Sequence, residues 1–287
     1  MTGVVRIAVV GSVNLDLVAR AARLPAPGET IGGAHFARYP GGKGANQALA
    51  ARRLGAQVAM HGRVGADAFA PEALALLAAE GVDLTHCVVD ATAPTGVALI
   101  TVSGDGENQI VVAPGANAAF APCHLASIAA DALLCQLEIP VETVSRAMTE
   151  FTGFAAVNLA PALPVPDAIV RRADLLIVNE TEAAFYGAPL LAAPGLVAIT
   201  YGARGAALFR DGAEIARAPA PRVAVTDTTG AGDTFSAALV VALAEGRAPP
   251  EALTFACAAA GLATTRAGAQ PSIPTRDEVN AFIARGG

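Results

Sequence analysis

One recurrent pattern restricts this chain more than any other: short, almost unbroken apolar runs, each ending in a knot of glycine and polar residues. Residues 6–10 run into Gly11-Ser12-Val13-Asn14-Leu15-Asp16, residues 132–137 into Glu138, residues 174–178 into Asn179-Glu180-Thr181-Glu182, and residues 196–200 into Tyr201-Gly202-Ala203-Arg204-Gly205. Runs with no polar alternation suit strands buried on both faces, as in a mostly parallel sheet covered by helices. Helical stretches fall between them, over 45–54 and 66–80 (stopped by Gly55 and Gly81) and onward from Pro140. Residues 57–61 and 155–159 add two more strands, and residues 206–210 and 214–217 flank Asp211-Gly212 as an antiparallel hairpin. Residues 249–265 read as an alanine-rich helix, and Thr275 with Glu278 is a capping box that opens the last helix. No internal repeat or linker interrupts the series, so residues 1–287 read as a single α/β domain. In such sheets ligands lie beyond the carboxyl ends of the strands, which is where the polar knots fall.

A further knot is residues 227–235, Asp227-Thr228-Thr229-Gly230-Ala231-Gly232-Asp233-Thr234-Phe235. An apolar strand over 223–225 leads in, Gly230 and Gly232 permit a tight turn whose bare backbone can approach a ligand, and an amphipathic helix follows over 236–245. Amides at a helix start lack intrahelical acceptors and the dipole adds positive potential, which suits a phosphate that gains charge during transfer. Asp233 stands beside it, where a carboxylate can orient and deprotonate an acceptor hydroxyl. The same residues also suit a plain N-cap and turn. No Gly-x-x-x-x-Gly-Lys-Ser/Thr occurs, which argues against a P-loop NTPase.

Of the 19 basic residues only Lys43 is a lysine, and it sits in the glycine-dense loop Gly41-Gly42-Lys43-Gly44-Ala45-Asn46-Gln47. That placement favours a compact ammonium packed against backbone, where a guanidinium fork would not fit. The loop opens a helix, so it offers a second anion or hydroxyl site, with Asn46 in the first turn facing the same ligand. Asn14 and Asp16 are two apart and share a face if the backbone stays extended. Amide and carboxylate together suit paired hydroxyls of a sugar, although the two residues equally suit a turn.

Composition excludes several alternatives. A net charge of −6 and a pI near 5.2 oppose a general nucleic-acid surface. The chain is 54% hydrophobic and 15% charged, against about 25% charged in typical soluble domains, and the difference is largely alanine. The longest uncharged span, residues 108–130, is broken by Pro114, Gly115, Asn117 and Pro122, so no membrane helix is expected. Residues 1–6 lead directly into a strand pattern without a signal-peptide layout, and the expectation is a cytoplasmic protein. Cys87, Cys123, Cys135 and Cys257 form no C-x-x-C pair and read as buried thiols of a reducing compartment.

Two stretches depart from the βα rhythm, approximately residues 15–39 and 87–112. Residues 24–38 hold Pro25, Pro27, Gly28, Gly32 and Gly33 and read as irregular strand and turn. Residues 95–102 and 109–112 read as strands joined across Ser103-Gly104-Asp105-Gly106. Val97, Ala98, Leu99 and Ile100 are apolar in succession, so both faces of this hairpin require cover. A lid with a ligand on one side and a partner subunit on the other satisfies that, as does a central strand of the main sheet.

Four segments now stand in order: Val9-x-Gly11-Ser12-x-Asn14-x-Asp16, residues 41–48, Asn179-Glu180-Thr181-Glu182 and residues 227–233. With them the chain resembles the ribokinase-like (PfkB) carbohydrate kinases over nearly its whole length. Lys43 and the ending Arg266-x-Gly268-Ala269-Gln270-Pro271-Ser272 lie closer to the ribose-specific members than to fructokinases or adenosine kinases. The resemblance implies a three-layer α/β/α fold with a central, mostly parallel sheet and a small β-sheet lid. It also implies ATP-dependent phosphorylation of D-ribose at the 5-hydroxyl; fructose, deoxyribose or a nucleoside are the sibling acceptors, and a non-catalytic sugar or nucleotide sensor is the rival from another class.

Residue by residue, Asn14, Asp16, Gly42, Lys43, Asn46 and Glu138 match ribose-binding positions, and Asp233 matches the catalytic base. Gly230, Ala231 and Gly232 match the anion hole. Asn179, Thr200, Tyr201, Gly202, Ala203, Arg204, Gly205 and Gly232 match nucleotide-binding positions, and Cys257 stands where relatives often carry a histidine near the adenine. Glu182 is similar to a residue that organises Mg²⁺ through water. Asp227, Thr229, Ala263, Arg266, Gly268 and Ser272 match a monovalent-cation site, normally potassium, built largely from backbone carbonyls. The lid implies a homodimer. One departure is that the stretch from 182 to 200 is shorter than is usual in the family, as if most of one crossover helix were missing.

Overall fold

The computed structural model describes residues 3–286; Met1 and Thr2, at the head of the segment leading into the first strand, and Gly287 lie outside the described residues. In chain order the first half comprises β1 (Arg6–Val10), β2 (Asn14–Arg20), β3 (His35–Gly41), α1 (Lys43–Arg53), β4 (Gln57–Gly65), α2 (Phe69–Ala79), β5 (Asp83–Asp90), β6 (Gly96–Val102), β7 (Asn108–Ala113), β8 (Ala132–Cys135) and α3 (Val141–Glu150). The second half comprises β9 (Phe154–Asn158), α4 (Asp167–Arg172), β10 (Leu175–Asn179), α5 (Glu180–Tyr186), β11 (Leu196–Thr200), β12 (Ala206–Arg210), β13 (Ala213–Ala218), α6 (Ala231–Ala244), α7 (Pro249–Ala263), α8 (Ala269–Ser272) and α9 (Arg276–Ala284).

The main sheet has the order β13-β12-β11-β10-β9-β8-β1-β4-β5. From β5 to β11 all neighbours are parallel, and β12 and β13 close one edge as the expected antiparallel hairpin. Its turn is Asp211-Gly212, both at positive φ, 51° and 76°. Strand alternation divides the core between two faces. Ile7 and Val9 of β1 pack with α1, α6, α7 and α9, while Ala8 and Val10 pack with α3, α4 and their neighbours. Full burial of side chains such as Leu133 and Leu134, each worth about 1.5–3 kcal/mol, explains why the central strands carry no polar alternation. The result is three layers, helices on each side of the sheet.

A second sheet of order β3-β2-β6-β7 stands apart from the first. The hairpin of residues 96–113 is therefore no strand of the main sheet. Cys87 to Asp90, at the head of the expected second insertion, pair instead with Gly62–Gly65 of β4, so the strand β5 belongs to the main sheet. All six residues of β7 are exposed, and this edge of the sheet carries uncovered apolar side chains on both faces, Leu99 and Val111 on one and Ile110 and Val112 on the other.

Two local expectations fail. Residues 223–225 form no strand: Pro219 and Pro221 precede them, the sheet edge is already β13, and Val223 and Val225 line a cavity instead. The helix expected from 236 as an amphipathic element begins at Ala231 and is buried at every position from Asp233 to Ala242, because it packs against both α1 and α7. Among the cysteines Cys135 and Cys257 are buried, Cys87 is half-buried and Cys123 is exposed. No helix among the described residues is long and apolar enough to cross a membrane.

Candidate active site

Gly230 takes a left-handed conformation, φ 77°, and caps α6. Thr234 locks that cap, donating both its amide and its hydroxyl to the Gly230 carbonyl at 2.9 and 3.0 Å. The helix therefore starts two residues before Asp233, whose carboxylate lies in the first turn with only 7% exposure. Asn46 Nδ2 donates to Asp233 Oδ2 at 2.9 Å, and Gln47 Nε2 donates to Oδ1 at 2.9 Å. Both donors come from α1, whose own start requires glycine. Gly42 has φ 87°, and a Cβ on Gly44 would sit 2.6 Å from the Gly11 carbonyl carbon. Asp233 is thus an inner first-turn residue held by two amides, more than a plain N-cap.

The sugar-type residues collect around it. Glu138 Oε2 accepts from Ser12 Oγ at 2.6 Å and from the Lys43 amide at 3.0 Å, tying the end of β1 to the glycine loop. Asp16 lies on β2, with Asn14 on the same face as expected, and is 8% exposed. Burial, then the Glu138 and Asp233 carboxylates, push Asp16 up to about 7. Burial alone would lower the Lys43 ammonium, but Asp233, Glu138 and Glu182 together hold it above its ordinary value. Burial raises Glu182, opposed by its bond from the Asn179 amide and by Lys43. A single half-buried cation among four carboxylates is the electrostatic arrangement here, and it fits a compact ammonium. Asn46 Oδ1 is buried without a partner among the described residues, which leaves it free for a ligand hydroxyl.

Two cavities meet at the turn. A polar one of about 140 Å³ is lined by Lys43, Asn158, Asn179, Glu182, Gly230 and Asp233, among others. A larger apolar one of about 730 Å³ is walled by Gly202, Ala203, Gly205, Val223, Val225 and Cys257, among others. Thr200 and Gly232 line both. A Cβ on Gly232 would meet nothing within 4 Å, so this residue borders open space. Ala231 spends its amide within the turn, donating to Thr228 at 3.2 Å. Burial pushes the Cys257 thiol up to about 11. Tyr201 and Arg204 line neither cavity: Arg204 pairs with Glu180 and lies over the Tyr201 ring.

The short crossover proves harmless to this geometry. α5 has only two turns, capped reciprocally by Asn179 and Glu182 at 2.8 Å each way, yet β10 and β11 stay paired with Asn179 opposite Thr200. Beside the turn, Asp227 accepts from the Thr229 amide and hydroxyl and from the Gly268 amide, at 2.9, 2.6 and 3.0 Å. These bonds hold its carboxyl low in spite of burial. Arg266 turns its side chain to Glu278, and Ser272 Oγ donates to the Ala269 carbonyl at 2.7 Å. Residues 227–229 and the loop after Ala263 are thereby fastened together against Gly230, where a Cβ would reach within 3.0 Å of Ala269. Sequence reasoning did not single out Asn117, Gln136, Asn158 or Ser236: Asn158 and Ser236 line the polar pocket, Asn117 bonds to Asn14, and Gln136 bonds to Gln47, which holds Asp233.

A buried carboxylate, an ammonium and a glycine turn at a helix start, set beside a large apolar cavity at the carboxyl edge of a doubly covered sheet, define a phosphotransferase that acts on an alcohol. The chain belongs to the pfkB family of carbohydrate kinases, whose family model matches residues 5–276. It is 39% identical over 292 residues to a ribokinase of Bacillus subtilis, covering 97% of this chain and 99% of that protein. The crystal structure of a ribokinase from Thermotoga maritima superposes with a TM-score of 0.87 at 34% identity, covering 98% and 99%. That of Arabidopsis thaliana ribokinase complexed with ribose and ATP gives 0.84 at 31% identity, covering 98% and 99%.

Proposed function

We propose that this kinase transfers the γ-phosphoryl group of ATP to the 5-hydroxyl of D-ribose, giving D-ribose 5-phosphate and ADP. The observation that carries the reading is the wall shared by the two cavities: Thr200 and Gly232 border both the polar pocket of Asp233 and the apolar groove. A sugar in the first and a purine nucleotide in the second would meet at the α6 turn. Asp16 and Asn14 take the sugar hydroxyls from β2, with Gly42, Lys43, Asn46 and Glu138 completing the cradle. Asp233 accepts the proton of the 5-hydroxyl as its oxygen bonds to the γ-phosphorus and the bond to the ADP oxygen breaks. The turn of Gly230, Ala231 and Gly232, at the positive end of α6, faces the charge that develops.

Asn179, Thr200, Gly202, Ala203 and Gly205 hold the nucleotide in this reading, with Cys257 on the wall of the base. Mg²⁺ bound with ATP would supply neutralisation of the phosphate charge, and Glu182, buried on the wall of the polar pocket, would organise it through water. Asp227, Thr229, Ala263, Arg266, Gly268 and Ser272 would hold a monovalent cation, for which the fastening of their two loops by the Asp227 carboxylate is the support. The bare apolar side chains of Leu99 and Val111, on one face of the small sheet, support its use as a lid that pairs with a second copy, as a cytoplasmic homodimer. The test is ADP release with ribose, deoxyribose, fructose and adenosine as acceptors, with and without potassium. Highest kcat/KM for ribose, raised by potassium, is the expected result; preference for another acceptor overturns the ribose assignment.

A further inference from the structure

Behind the Asp233 carboxylate runs a chain of buried amides in which every link but one is paired. Gln47 is fully buried and divides the two protons of its Nε2 between Asp233 Oδ1 (2.9 Å) and Asn158 Oδ1 (3.1 Å). Its own Oε1 accepts from Gln136 Nε2 at 2.6 Å. Asn158 in turn donates to the Ile177 carbonyl at 3.1 Å. Gln136 is also fully buried, and its Oε1 has no partner among the described residues. Room for it exists only because Gly11 lacks a side chain, since a Cβ there would collide with that oxygen.

These contacts admit one orientation of the Gln47 amide. A flip would set Oε1 against the Asp233 carboxylate and against Asn158 Oδ1, while Nε2 would face the Nε2 of Gln136. We propose that Gln47 is a positioning residue for the base: anchored by Gln136 and Asn158, it fixes the plane of the Asp233 carboxylate. The other edge of that carboxylate is held by Asn46. Two N–H donors occupy one lone pair on each oxygen and leave the others directed at the polar pocket. A carboxylate free to rotate about χ2 would spend most of its time misaligned with the acceptor hydroxyl. Gln47 reaches the reaction through Asp233, so the inference rests on the reading of Asp233 as the base.

The test is a kinetic cycle on the full-length enzyme. Gln47→Leu is expected to lower kcat about 30-fold with KM for ribose within about threefold. Gln136→Leu removes one of the two anchors of the Gln47 amide and is expected to lower kcat about fivefold, and Gln47→Leu with Gln136→Leu to be no slower than Gln47→Leu alone. Additive losses in the double variant, or a Gln47→Leu enzyme with parental kcat, overturn the proposal. If Gln47→Leu does not fold, Gln47→Glu keeps the volume and replaces the donor by an acceptor; parental kcat in that variant overturns the proposal equally. Asp233→Asn separates the two levels. If it is inactive while Gln47→Leu is unimpaired, only the positioning role falls; if it turns over like the parent, the base assignment and the proposal fall together.

Discussion

Asn117 donates from Nδ2 to the Oδ1 of Asn14 at 2.7 Å, across 103 residues of sequence. The same side chain accepts from the Val13 amide at 2.9 Å and donates to the Val13 carbonyl at 3.1 Å. Gly96 makes the approach possible, because a Cβ there would collide with both amides. That bond fixes which end of the Asn14 amide is the oxygen and so holds its NH₂ in place for a sugar hydroxyl. Asn117→Leu is therefore expected to raise KM for ribose about tenfold, leave kcat within about threefold and cost about 1–3 kcal/mol of stability. Steady-state kinetics and urea unfolding check it; an unchanged KM would show that the amide of Asn14 does not touch the sugar.

Asp16 predicts a pH dependence. Its carboxyl is pushed from 3.8 to about 7 by burial and by Glu138 and Asp233, so the folded chain holds a proton there that the unfolded chain gives up. The contribution is whole below about pH 4 and is lost as pH rises through about 7, a loss on the order of 4 kcal/mol. His61, lowered to about 4 by burial and by His86, acts in the opposite sense: its contribution is whole above about 6.5 and is lost as pH falls through about 4. The informative quantity is thus the difference between the parent and Asp16→Asn. The variant should gain stability relative to the parent as pH rises from 4 to 8, measured by urea unfolding; a constant difference contradicts it.

Val111, 65% exposed on β7, tests the bare face of the small sheet. Val111→Arg is expected to convert a dimer into a monomer in light scattering while the melting temperature of the chain at low concentration stays within about 2 °C, since an exposed site rarely costs more than about 0.5 kcal/mol. A parent that is itself monomeric would remove the partner from the account.

Much of this arrangement was legible because it is local. Apolar runs ending in polar knots marked the carboxyl edge of the sheet, the solitary lysine marked the glycine loop, and Thr275 with Glu278 formed the capping box. What could not be read depends on meetings between distant segments. Gln47 bonds to partners 186, 111 and 89 residues away, and although it closes the glycine loop, nothing local shows that its amide turns inward to those partners. Residues 223–225 looked like a strand because β-branched apolar residues suit a ladder, but they line the cavity instead. The burial of α6 on all sides was hidden for a similar reason: its polar residues, Asp233, Thr234 and Ser236, are satisfied inside the protein and mimic a solvent face.

The most direct measurement is made on Asp233→Asn, with ribose binding followed by calorimetry and turnover by ADP release. The account predicts a sugar Kd within about threefold of the parent and a kcat lower by about 10³-fold or more. Turnover near the parental rate, or a loss of sugar affinity with kcat unchanged, would contradict it.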